Sequence, residues 1–521
     1  MPTPHDLVSS LIPKPLKVTT IGRTFLMRRP VVYTADFPEA AERLEAWLGR
    51  AIGKPLVRGS VPTASNIVIE KHAVPGDEAY ELAVYEGGAR IRARHAHGAA
   101  RGVATLMQLF PPSFHQAGGG TMPVELPQCW IEDEPRFAWR GLLLDCSRHF
   151  MSVEFIIGLL DAMAAHKMNV FHWHLVDDQG WRLEIERYPL LTEIGAWRDD
   201  ESGRHGGFYS KADVRRIVAH ASALGIRVVP EIELPGHANA ALNAYPQMSC
   251  RGEVPPIAAR WGIYPDIFCA GLDSSLQFYR DVMDEVMELF PDEFIHIGGD
   301  EAPRERWKEC PRCQARIKAL GLADEAALQT WMTRQIQLHV AKRGRSIIGW
   351  DELQYGGLPH GAVLQHWRFE ECLAGALEKN HRVIISQNRH LYFDYPHDKD
   401  PHLHSRNTQL NHWMPALGIE KVYGFDPMRS LVPAEKAGLV LGMECTLWSE
   451  FAPEPKVHRQ LFPRLCAVAE IAWSSPRERS FAEFARRLDL HTLRLKSSGI
   501  EPYDGPMASP DWQQIMPPAT T

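Results

Sequence analysis

The stretch Phe294-Ile295-His296-Ile297-Gly298-Gly299-Asp300-Glu301 joins an apolar run to two glycines and two adjacent carboxylates. A short apolar run bounded by glycines is typical of a buried β-strand. Glycine lets a backbone approach another group closely. Neighbouring carboxylates repel each other, and burial raises the pKa of a carboxyl group. The pair Asp300-Glu301 therefore indicates acid–base chemistry, or a bound cation, rather than an ordinary solvated surface.

Short apolar runs of the same kind recur on both sides of this stretch, and amphipathic helical stretches separate several of them. The eight runs are 141–145, 169–174, 226–232, 294–297, 346–349, 362–365, 382–386 and 439–442, and the helical stretches include 153–166, 212–224, 273–290 and 325–343. This alternation predicts the α/β class, with a parallel sheet closed as a (β/α)8 TIM barrel. An open doubly wound sheet is the alternative, but no Gly-x-Gly-x-x-Gly motif follows the first strand.

The residues before the barrel have a different pattern. A helix is predicted from Pro38, strands at 66–70, 78–85 and 89–93, and a second helix at 98–110. We therefore predict three parts: an α+β accessory domain at 1–134, the catalytic barrel at 135–500, and a Pro-rich C-terminal tail at 501–521.

Composition restricts the class of protein. The 521 residues are 45% hydrophobic and 23% charged, as in soluble globular proteins, and the net charge of −7 argues against nucleic-acid or anionic-membrane partners. No apolar run reaches the ~18 residues of a spanning helix, and residues 1–6 do not begin a signal peptide. The expected location is cytoplasmic, or periplasmic or secreted if a signal peptide has been removed.

The nine cysteines are scattered and odd in number, which does not indicate a disulfide framework. Cys310-Pro311-Arg312-Cys313 is one isolated Cys-x-x-Cys motif with no second pair near it in the sequence. A structural zinc site needs four ligands, so we interpret the motif as a local turn or a disulfide. We expect no metal and no cofactor.

Polar and aromatic residues follow every predicted barrel strand, where barrel enzymes place their active sites. In chain order they are Arg148; Asp177 and Asp178; Glu231, Glu233 and His237; Asp300 and Glu301; Trp350, Asp351 and Glu352; Trp367; Tyr392 and Asp394; and Trp448 and Glu450. Aromatic walls, hydrogen-bonding carboxylates and one arginine suit a neutral polyhydroxylated ring with apolar faces, which is a sugar.

Each of these residues also has a plainer interpretation. A single tryptophan at a strand end more often packs in a core, and Arg148 could pair with a structural acid. His172 and His174 alternate on one strand and are more typical of buried hydrogen-bonding groups. Metal-dependent barrel hydrolases usually place a His-x-His pair on strand 1, whereas this pair lies on strand 2, so a metal site is the weaker alternative.

The chain resembles the family 20 glycoside hydrolases, the β-N-acetylhexosaminidases, from about residue 20 to 480. The resemblance rests on six motifs in order: Trp139-Arg140-Gly141 through Asp145-x-x-Arg148-His149-Phe150; Asn169-Val170-Phe171-His172-Trp173-His174-Leu175-x-Asp177-Asp178-Gln179; Pro230-Glu231-Ile232-Glu233-x-Pro235-Gly236-His237; His296-x-Gly298-Gly299-Asp300-Glu301; Gly349-Trp350-Asp351-Glu352; and Trp448-Ser449-Glu450. One departure is Phe425, where some members have a tryptophan.

The resemblance implies exo-acting, retaining hydrolysis in which the substrate's own 2-acetamido oxygen attacks the anomeric carbon, an exception to the two-carboxylate rule. Glu301 would be the general acid and then the base, with a raised pKa, and Asp300 would hold the acetamido N–H. Tyr392 would donate to the acetamido oxygen, and Trp350, Trp367 and Trp448 would enclose that group. Arg148, Asp394 and Glu450 would bind the terminal sugar, and Asp177 and His237 would support Glu301 from behind.

Two competing hypotheses are weaker. Another family of substrate-assisted glycosidases carries an Asp-x-x-Asp-x-Asp-x-Glu run, which this sequence lacks. A glycan-binding protein on the same barrel would usually lose the acid, and Glu301 is present. The expected partner is a glycan, such as a chitooligosaccharide, with a terminal N-acetylglucosamine or N-acetylgalactosamine; the sequence does not specify an oligomeric state.

Overall fold

The N-terminal part is an α+β unit built on one six-stranded sheet. The computed structural model describes residues 2–200, 203–359, 361–398, 414–505 and 507. The strands are β1 (Lys17–Met27), β2 (Val32–Thr34), β3 (Ile67–Lys71), β4 (Tyr80–Tyr85), β5 (Gly88–Ala93) and β6 (Val124–Asp133), and the helices are α1 (Pro4–Ser9), α2 (Pro38–Ile52) and α3 (Ala96–Gln108). The strand order is β1-β6-β4-β5-β3-β2.

The second part is a closed parallel barrel. Its region contains β7 (Trp139–Asp145), β8 (Val170–His174), β9 (Val176–Asp177), β10 (Gly180–Trp181), β11 (Trp197–Asp200), β12 (Gly203–Gly206), β13 (Arg227–Glu231), β14 (Phe294–His296), β15 (Ser346–Trp350), β16 (Val363–His366), β17 (Arg382–Ile385) and β18 (Val440–Leu447). The barrel order is β7-β8-β13-β14-β15-β16-β17-β18, and β18 closes on β7. The predicted (β/α)8 barrel is confirmed, and β9–β12 form two small hairpins after the second barrel strand.

Helices surround the barrel, and side-chain caps mark where some of them begin. They are α4 (Val153–Ala165), α5 (Leu190–Glu193), α6 (Lys211–Ala223), α7 (Asn239–Ala244), α8 (Asp273–Leu289), α9 (Glu305–Glu309), α10 (Pro311–Leu320), α11 (Glu325–Ala341), α12 (Glu370–Glu378), α13 (Asn388–Leu391), α14 (Ile419–Gly424), α15 (Pro427–Ser430), α16 (Glu454–Leu461), α17 (Arg464–Trp473) and α18 (Phe481–Ser497). The Ser152 hydroxyl caps α4, and Ser210 and Asp213 form a capping box on α6. Among the described residues, no helix is both long and apolar enough to cross a bilayer.

Most predicted elements agree with the structure, and the differences have simple causes. The sequence pattern did not reveal β1, whose first eight residues are exposed and therefore carry no hydrophobic alternation. The last barrel strand, β18, is longer than the predicted 439–442 because Glu444 and Thr446 interrupt its apolar run while remaining fully buried. Of the predicted tail, residue 506 and residues 508–521 lie outside the described residues, and Tyr503 is buried with its N–H donating to the Phe462 carbonyl.

The barrel interior changes from apolar to polar along the strands. Its lower layer is an apolar cluster of Trp139, Val170, Val229, Phe294, Ile348, Val363 and Ile384. Above it lie the buried polar side chains of His172, Glu231, His296, Gln365 and Glu444. Because the strands run parallel, their carboxyl ends meet above this second layer, and many of the polar residues predicted at the strand ends share one opening.

The accessory domain is joined to the barrel by buried ion pairs. The Lys167 ammonium donates to Asp133 Oδ2 at 2.7 Å and to the Tyr80 hydroxyl at 2.9 Å, and Trp473 Nε1 donates to Asp133 Oδ1 at 2.9 Å. Glu78 accepts from Arg140 across the same interface, and from Arg101 within its own domain. Such charges are tolerated away from water only while their partners remain.

Lys167→Met should test this interface. The substitution removes the cation beside the fully buried Asp133, and losing one member of a buried pair costs about 3–5 kcal/mol. Urea unfolding should therefore show a clearly lower midpoint. Lys17→Met, which breaks an exposed pair with Glu132, is the matched control and should leave the midpoint nearly unchanged. Equal midpoints for the two variants would contradict the role of the buried pair.

Candidate active site

A cavity of about 370 Å³ opens at the carboxyl ends of the barrel strands. That volume lies in the range of small-molecule sites. Ten of the eleven residues that the sequence placed in the site line it: Arg148, Asp177, His237, Asp300, Glu301, Trp367, Tyr392, Asp394, Trp448 and Glu450. The eleventh, Trp350, is buried behind the wall. Its ring packs on Trp448 at 5.8 Å, and its Nε1 donates to Glu231.

The two glycines before the carboxylate pair are required by close approach. Gly298 has φ +61°, and a Cβ built there would lie 1.7 Å from Glu233 Oε2. Gly299 has φ +94°, and its Cβ would lie 2.4 Å from Leu353. Glu301 also has positive φ, at +42°. A non-glycine residue in this conformation carries strain, which packing around active sites commonly maintains.

His237 lies between two pairs of carboxylates. Its Nδ1 is 3.2 Å from Asp177 Oδ1 and 3.4 Å from Asp178 Oδ2, and its Nε2 is 3.6 Å from Asp300 Oδ2 and 3.7 Å from Glu301 Oε2. Burial alone would lower the pKa of His237, but the Asp177 charge and the surrounding hydrogen bonds raise it well above its ordinary value. A cationic imidazole therefore links the buried acids to the pair that faces the cavity.

Glu301 is the more accessible member of the pair, with 36% of its side chain exposed to the cavity, whereas Asp300 is 12% exposed. Loss of surrounding water, followed by the adjacent Asp300 charge, raises the pKa of Glu301, while His237 and Arg148 oppose the shift. A raised pKa favours the protonated form of a carboxyl group, so Glu301 is suited to donate a proton.

Arg148 combines the two roles that the sequence left open. Its guanidinium contacts Asp177 Oδ2 at 2.8 Å and Asp145 Oδ2 at 3.4 Å, so it does pair with structural acids. It also lines the cavity and lies 5.1 Å from the centre of the Trp448 ring. The same side chain therefore neutralises buried charge and presents donors to a bound molecule.

The cavity has aromatic walls. Trp367 and Tyr392 are stacked with ring centres 5.9 Å apart, and Tyr392 is 6.3 Å from Trp448. Trp367 Nε1 donates to Glu352, and burial together with the Asp300 and Asp351 charges raises the pKa of Glu352 to about 8. These planar faces suit a compact apolar group bound beside them.

Apart from Asp177 Oδ2, which is ion-paired with Arg148, three carboxylate oxygens at the cavity are buried without a hydrogen-bond partner among the described residues: Asp300 Oδ1, Asp394 Oδ1 and Glu450 Oε2. Burial raises the pKa values of Asp394 and Glu450. Buried polar atoms are rarely left unsatisfied in proteins, because each costs free energy. A ligand rich in hydroxyl or amide hydrogens would satisfy all three.

Beneath the cavity, His172 and His174 are buried hydrogen-bonding groups. His172 contacts Glu444 at 2.7 Å and Glu231 at 3.0 Å, and His174 contacts Asp145 at 3.2 Å. Burial opposes charge on His172, but the Glu444 and Glu231 carboxylates raise its pKa to about 9.

Several lining residues were not predicted. They are Glu233, Trp261, Gly262, Ile263, Asn388, Tyr395, Met414 and Phe451. Trp261 and Ile263 belong to the long connection between β13 and α8, which has no periodic signal that would place it over the barrel. Glu233 was noted at a strand end but left out of the site. Phe425 is not among the lining residues and stacks on His390 at 4.4 Å.

Cys310 and Cys313 lie in the first turn of α10, in agreement with a local turn, but the alternative of a disulfide and the expectation that the motif is isolated are wrong. All nine cysteines are free thiols, and Cys250 and Cys269 lie beside Cys310 and Cys313, with ligand atoms all within 4.8 Å of one another. The sequence did not reveal this cluster because its members are separated by up to 63 positions along the chain.

Comparison with known proteins identifies related chains. Residues 137–476 match the model of the glycosyl hydrolase family 20 catalytic domain, and residues 8–134 match domain 2 of that family. A β-hexosaminidase of Porphyromonas gingivalis is 39% identical over 95% of this chain, which spans 64% of that relative's length. A β-N-acetylhexosaminidase of Cellulomonas fimi is 32% identical, with 96% and 97% of the two chains covered.

Solved structures have the same architecture. An exo-β-N-acetylglucosaminidase from Vibrio harveyi, in complex with N-acetylglucosamine, superimposes with a TM-score of 0.86 at 31% identity, covering 95% of this chain and 78% of that one. An N-acetyl-β-hexosaminidase from Streptomyces plicatus, in complex with Thio-NAglucal, gives a TM-score of 0.85 at 31% identity, with 97% and 98% covered.

Gly298→Ala should test the close approach beneath the carboxylate pair. The left-handed backbone costs alanine about 1–2 kcal/mol, and the overlap with Glu233 should add roughly 1–3 kcal/mol. Gly321→Ala is the matched control, because Gly321 has φ +63° and a Cβ added there would meet no atom within 4 Å. Chemical unfolding should show a larger loss of stability for Gly298→Ala, and equal losses would contradict the overlap.

Proposed function

The chain belongs to glycoside hydrolase family 20 and is a glycoside hydrolase, and from this premise we propose an exo-acting β-N-acetylhexosaminidase. It would remove terminal N-acetylglucosamine or N-acetylgalactosamine from non-reducing ends with retention of configuration. The nucleophile would be the substrate's own acetamido oxygen.

The observation that carries this proposal is the position of the two carboxylates. Asp300 and Glu301 are consecutive, and both approach the same nitrogen of His237, at 3.6 and 3.7 Å. A retaining enzyme with its own nucleophile needs two carboxyl groups about 5–5.5 Å apart across the scissile bond. Two groups on one side of a sugar cannot flank that bond, but they can act on its leaving oxygen and its adjacent acetamido group.

In the first step, Glu301 would donate its proton to the glycosidic oxygen as the acetamido carbonyl oxygen bonds to the anomeric carbon. Asp300 would accept a hydrogen bond from the acetamido N–H and stabilise the positive charge of the resulting oxazolinium ring. Glu301, now a carboxylate, would then remove a proton from a water molecule while the oxygen of that water attacks the anomeric carbon and opens the ring. Two inversions at one carbon give net retention.

The walls of the cavity support the remaining roles. Tyr392, between Trp367 and Trp448, would donate its hydroxyl to the acetamido oxygen, and the rings would enclose the methyl group. Arg148, Asp394 and Glu450 would bind hydroxyls of the terminal sugar, since Asp394 Oδ1 and Glu450 Oε2 lack partners among the described residues. Such an arrangement favours recognition of a chain end and therefore exo action.

Glu301→Gln should reduce turnover of disaccharides and other poor leaving groups by about 10²–10⁴-fold, because the proton donor is lost. The first step should be less impaired when the leaving group is an activated phenol. Steady-state kinetics on both substrate types measure the difference. Glu305→Gln, on the neighbouring helix α9, is the control and should retain parental activity. A fully active Glu301→Gln on disaccharides would refute the assignment.

Asp300→Asn should weaken both turnover and affinity for a thiazoline mimic of the cyclised intermediate, because the stabilising negative charge is removed. The parent enzyme should bind this thiazoline far more tightly than N-acetylglucosamine, and should turn over 2-hydroxyl analogues very poorly. Intact-mass analysis during turnover of a fluorinated slow substrate decides the mechanism. A glycosyl adduct on a protein carboxylate would overturn it.

A further inference from the structure

Four cysteines form a compact cluster outside the sugar-binding cavity. Cys269 Sγ lies 3.8 Å from Cys310 Sγ and 3.6 Å from Cys313 Sγ, and Cys250 Sγ lies 3.9 Å from Cys313 Sγ. Cys269, Cys310 and Cys313 are buried, and Cys250 is partly buried.

These separations match the edges of a metal–thiolate tetrahedron. Zinc bound by four thiolates has Zn–S distances near 2.3 Å, so its sulfur atoms lie about 3.8 Å apart. A disulfide would require about 2.05 Å between two sulfurs. Four sulfurs drawn together around one point are expected where one small ion is bound. From this geometry we propose that Cys250, Cys269, Cys310 and Cys313 bind a structural Zn²⁺ ion.

Regular backbone structure holds all four cysteines in place. Cys310 is the N-cap residue of α10, so Cys310 and Cys313 leave the first turn of one helix. Cys250 and Cys269 each follow one residue of the antiparallel bridge Ser249–Phe268, and the Cys269 N–H donates to the Met248 carbonyl at 2.9 Å. Two of the proposed ligands therefore lie at the start of a helix, and the other two lie at the two ends of one loop, where its flanking residues are hydrogen-bonded to each other.

Neighbouring groups would support the net negative charge of four thiolates around one divalent ion. The Arg312 side chain and the Gly271 backbone N–H both lie within hydrogen-bonding reach of Cys269 Sγ, and Arg312 also donates to the Cys250 carbonyl at 2.8 Å. A Cβ at Gly271 would lie 2.4 Å from the Arg312 backbone, so glycine permits this approach. Donors around ligand atoms are a regular feature of metal sites.

The position of the cluster indicates what the ion would do. Residues 251–268 leave Cys250 and return at Cys269, and this loop contributes Trp261 and Ile263 to the cavity wall. Cys310 lies on the connection that follows Glu301. The Trp307 Nε1 donates to the Phe268 carbonyl at 3.0 Å, which brings the two segments together. The ion would therefore fasten the loop that carries Trp261 to the segment that follows the proposed acid.

Metal content is the first test, and it does not depend on the proposed function. Protein purified without chelator should contain about one zinc per chain by plasma mass spectrometry, and Cys269→Ser should lose it. Cys372→Ser, a buried cysteine outside the cluster, should retain one zinc. Stoichiometric iron, or no metal together with a mass decrease from disulfide formation, would overturn the proposal.

Cobalt substitution covers the case in which Cys269→Ser fails to fold. The parental protein, reconstituted with Co²⁺, should give the visible absorption of a tetrahedral tetrathiolate site, and added zinc should abolish it. Cobalt spectra typical of six oxygen or nitrogen ligands would overturn the assignment.

Trypsin tests the role of the ion in the loop. Arg251 and Arg260 are exposed in residues 251–268, so removing zinc should speed cleavage at these two sites by tenfold or more, and adding zinc back should restore protection. Cleavage at an unchanged rate would contradict the fastening of the loop. If the parental protein contained about one zinc per chain but had no glycosidase activity, that result would count against the proposed function and leave the zinc site standing.

Discussion

The structure depends on the balance of buried charge at the top of the barrel. The parallel strands bring Asp145, Glu231, Glu233 and Glu444 into a space from which water is excluded. Carboxylates confined in this way repel one another, and each loses its hydration. The protein offsets this with cations from the same strands and their loops: His172 between Glu444 and Glu231, His174 beside Asp145, and Arg148 beside Asp145 and Asp177.

This balance reaches the reacting groups through one side chain. His237 is held by Asp177 and Asp178 on one side and faces Asp300 and Glu301 on the other. Its charge partly cancels the repulsion between the consecutive carboxylates and opposes the rise in the pKa of Glu301, which burial and the Asp300 charge nevertheless keep raised. The proposed mechanism requires Glu301 to begin protonated, and this environment favours that state.

The loops above the barrel complete a cavity that the strands only begin. Trp261 lies in the loop 251–268, many residues along the chain from the nearest barrel strand. A zinc ion bound by four cysteines at the ends of this loop would hold the loop against the segment after Glu301. A cavity wall built from a long connection needs such an anchor, since a free loop of this length would lose much conformational entropy on ordering. Stability and substrate recognition would then meet at one metal site.

Local sequence determined the elements and the strand-end residues, because hydrophobic period, glycines and caps act over a few positions. From these the closed barrel, the pair Asp300-Glu301 and a set of polar strand ends could be predicted, and the resemblance to family 20 selected from that set the ten residues that line the cavity. Tertiary structure decided what depends on distant segments meeting: Trp350 lies behind Trp448, Trp261 enters the wall, and the exposed β1 joins the sheet. It also brought Cys250 and Cys269 to Cys310 and Cys313, because contact between residues far apart in the chain follows from packing, which no short stretch encodes.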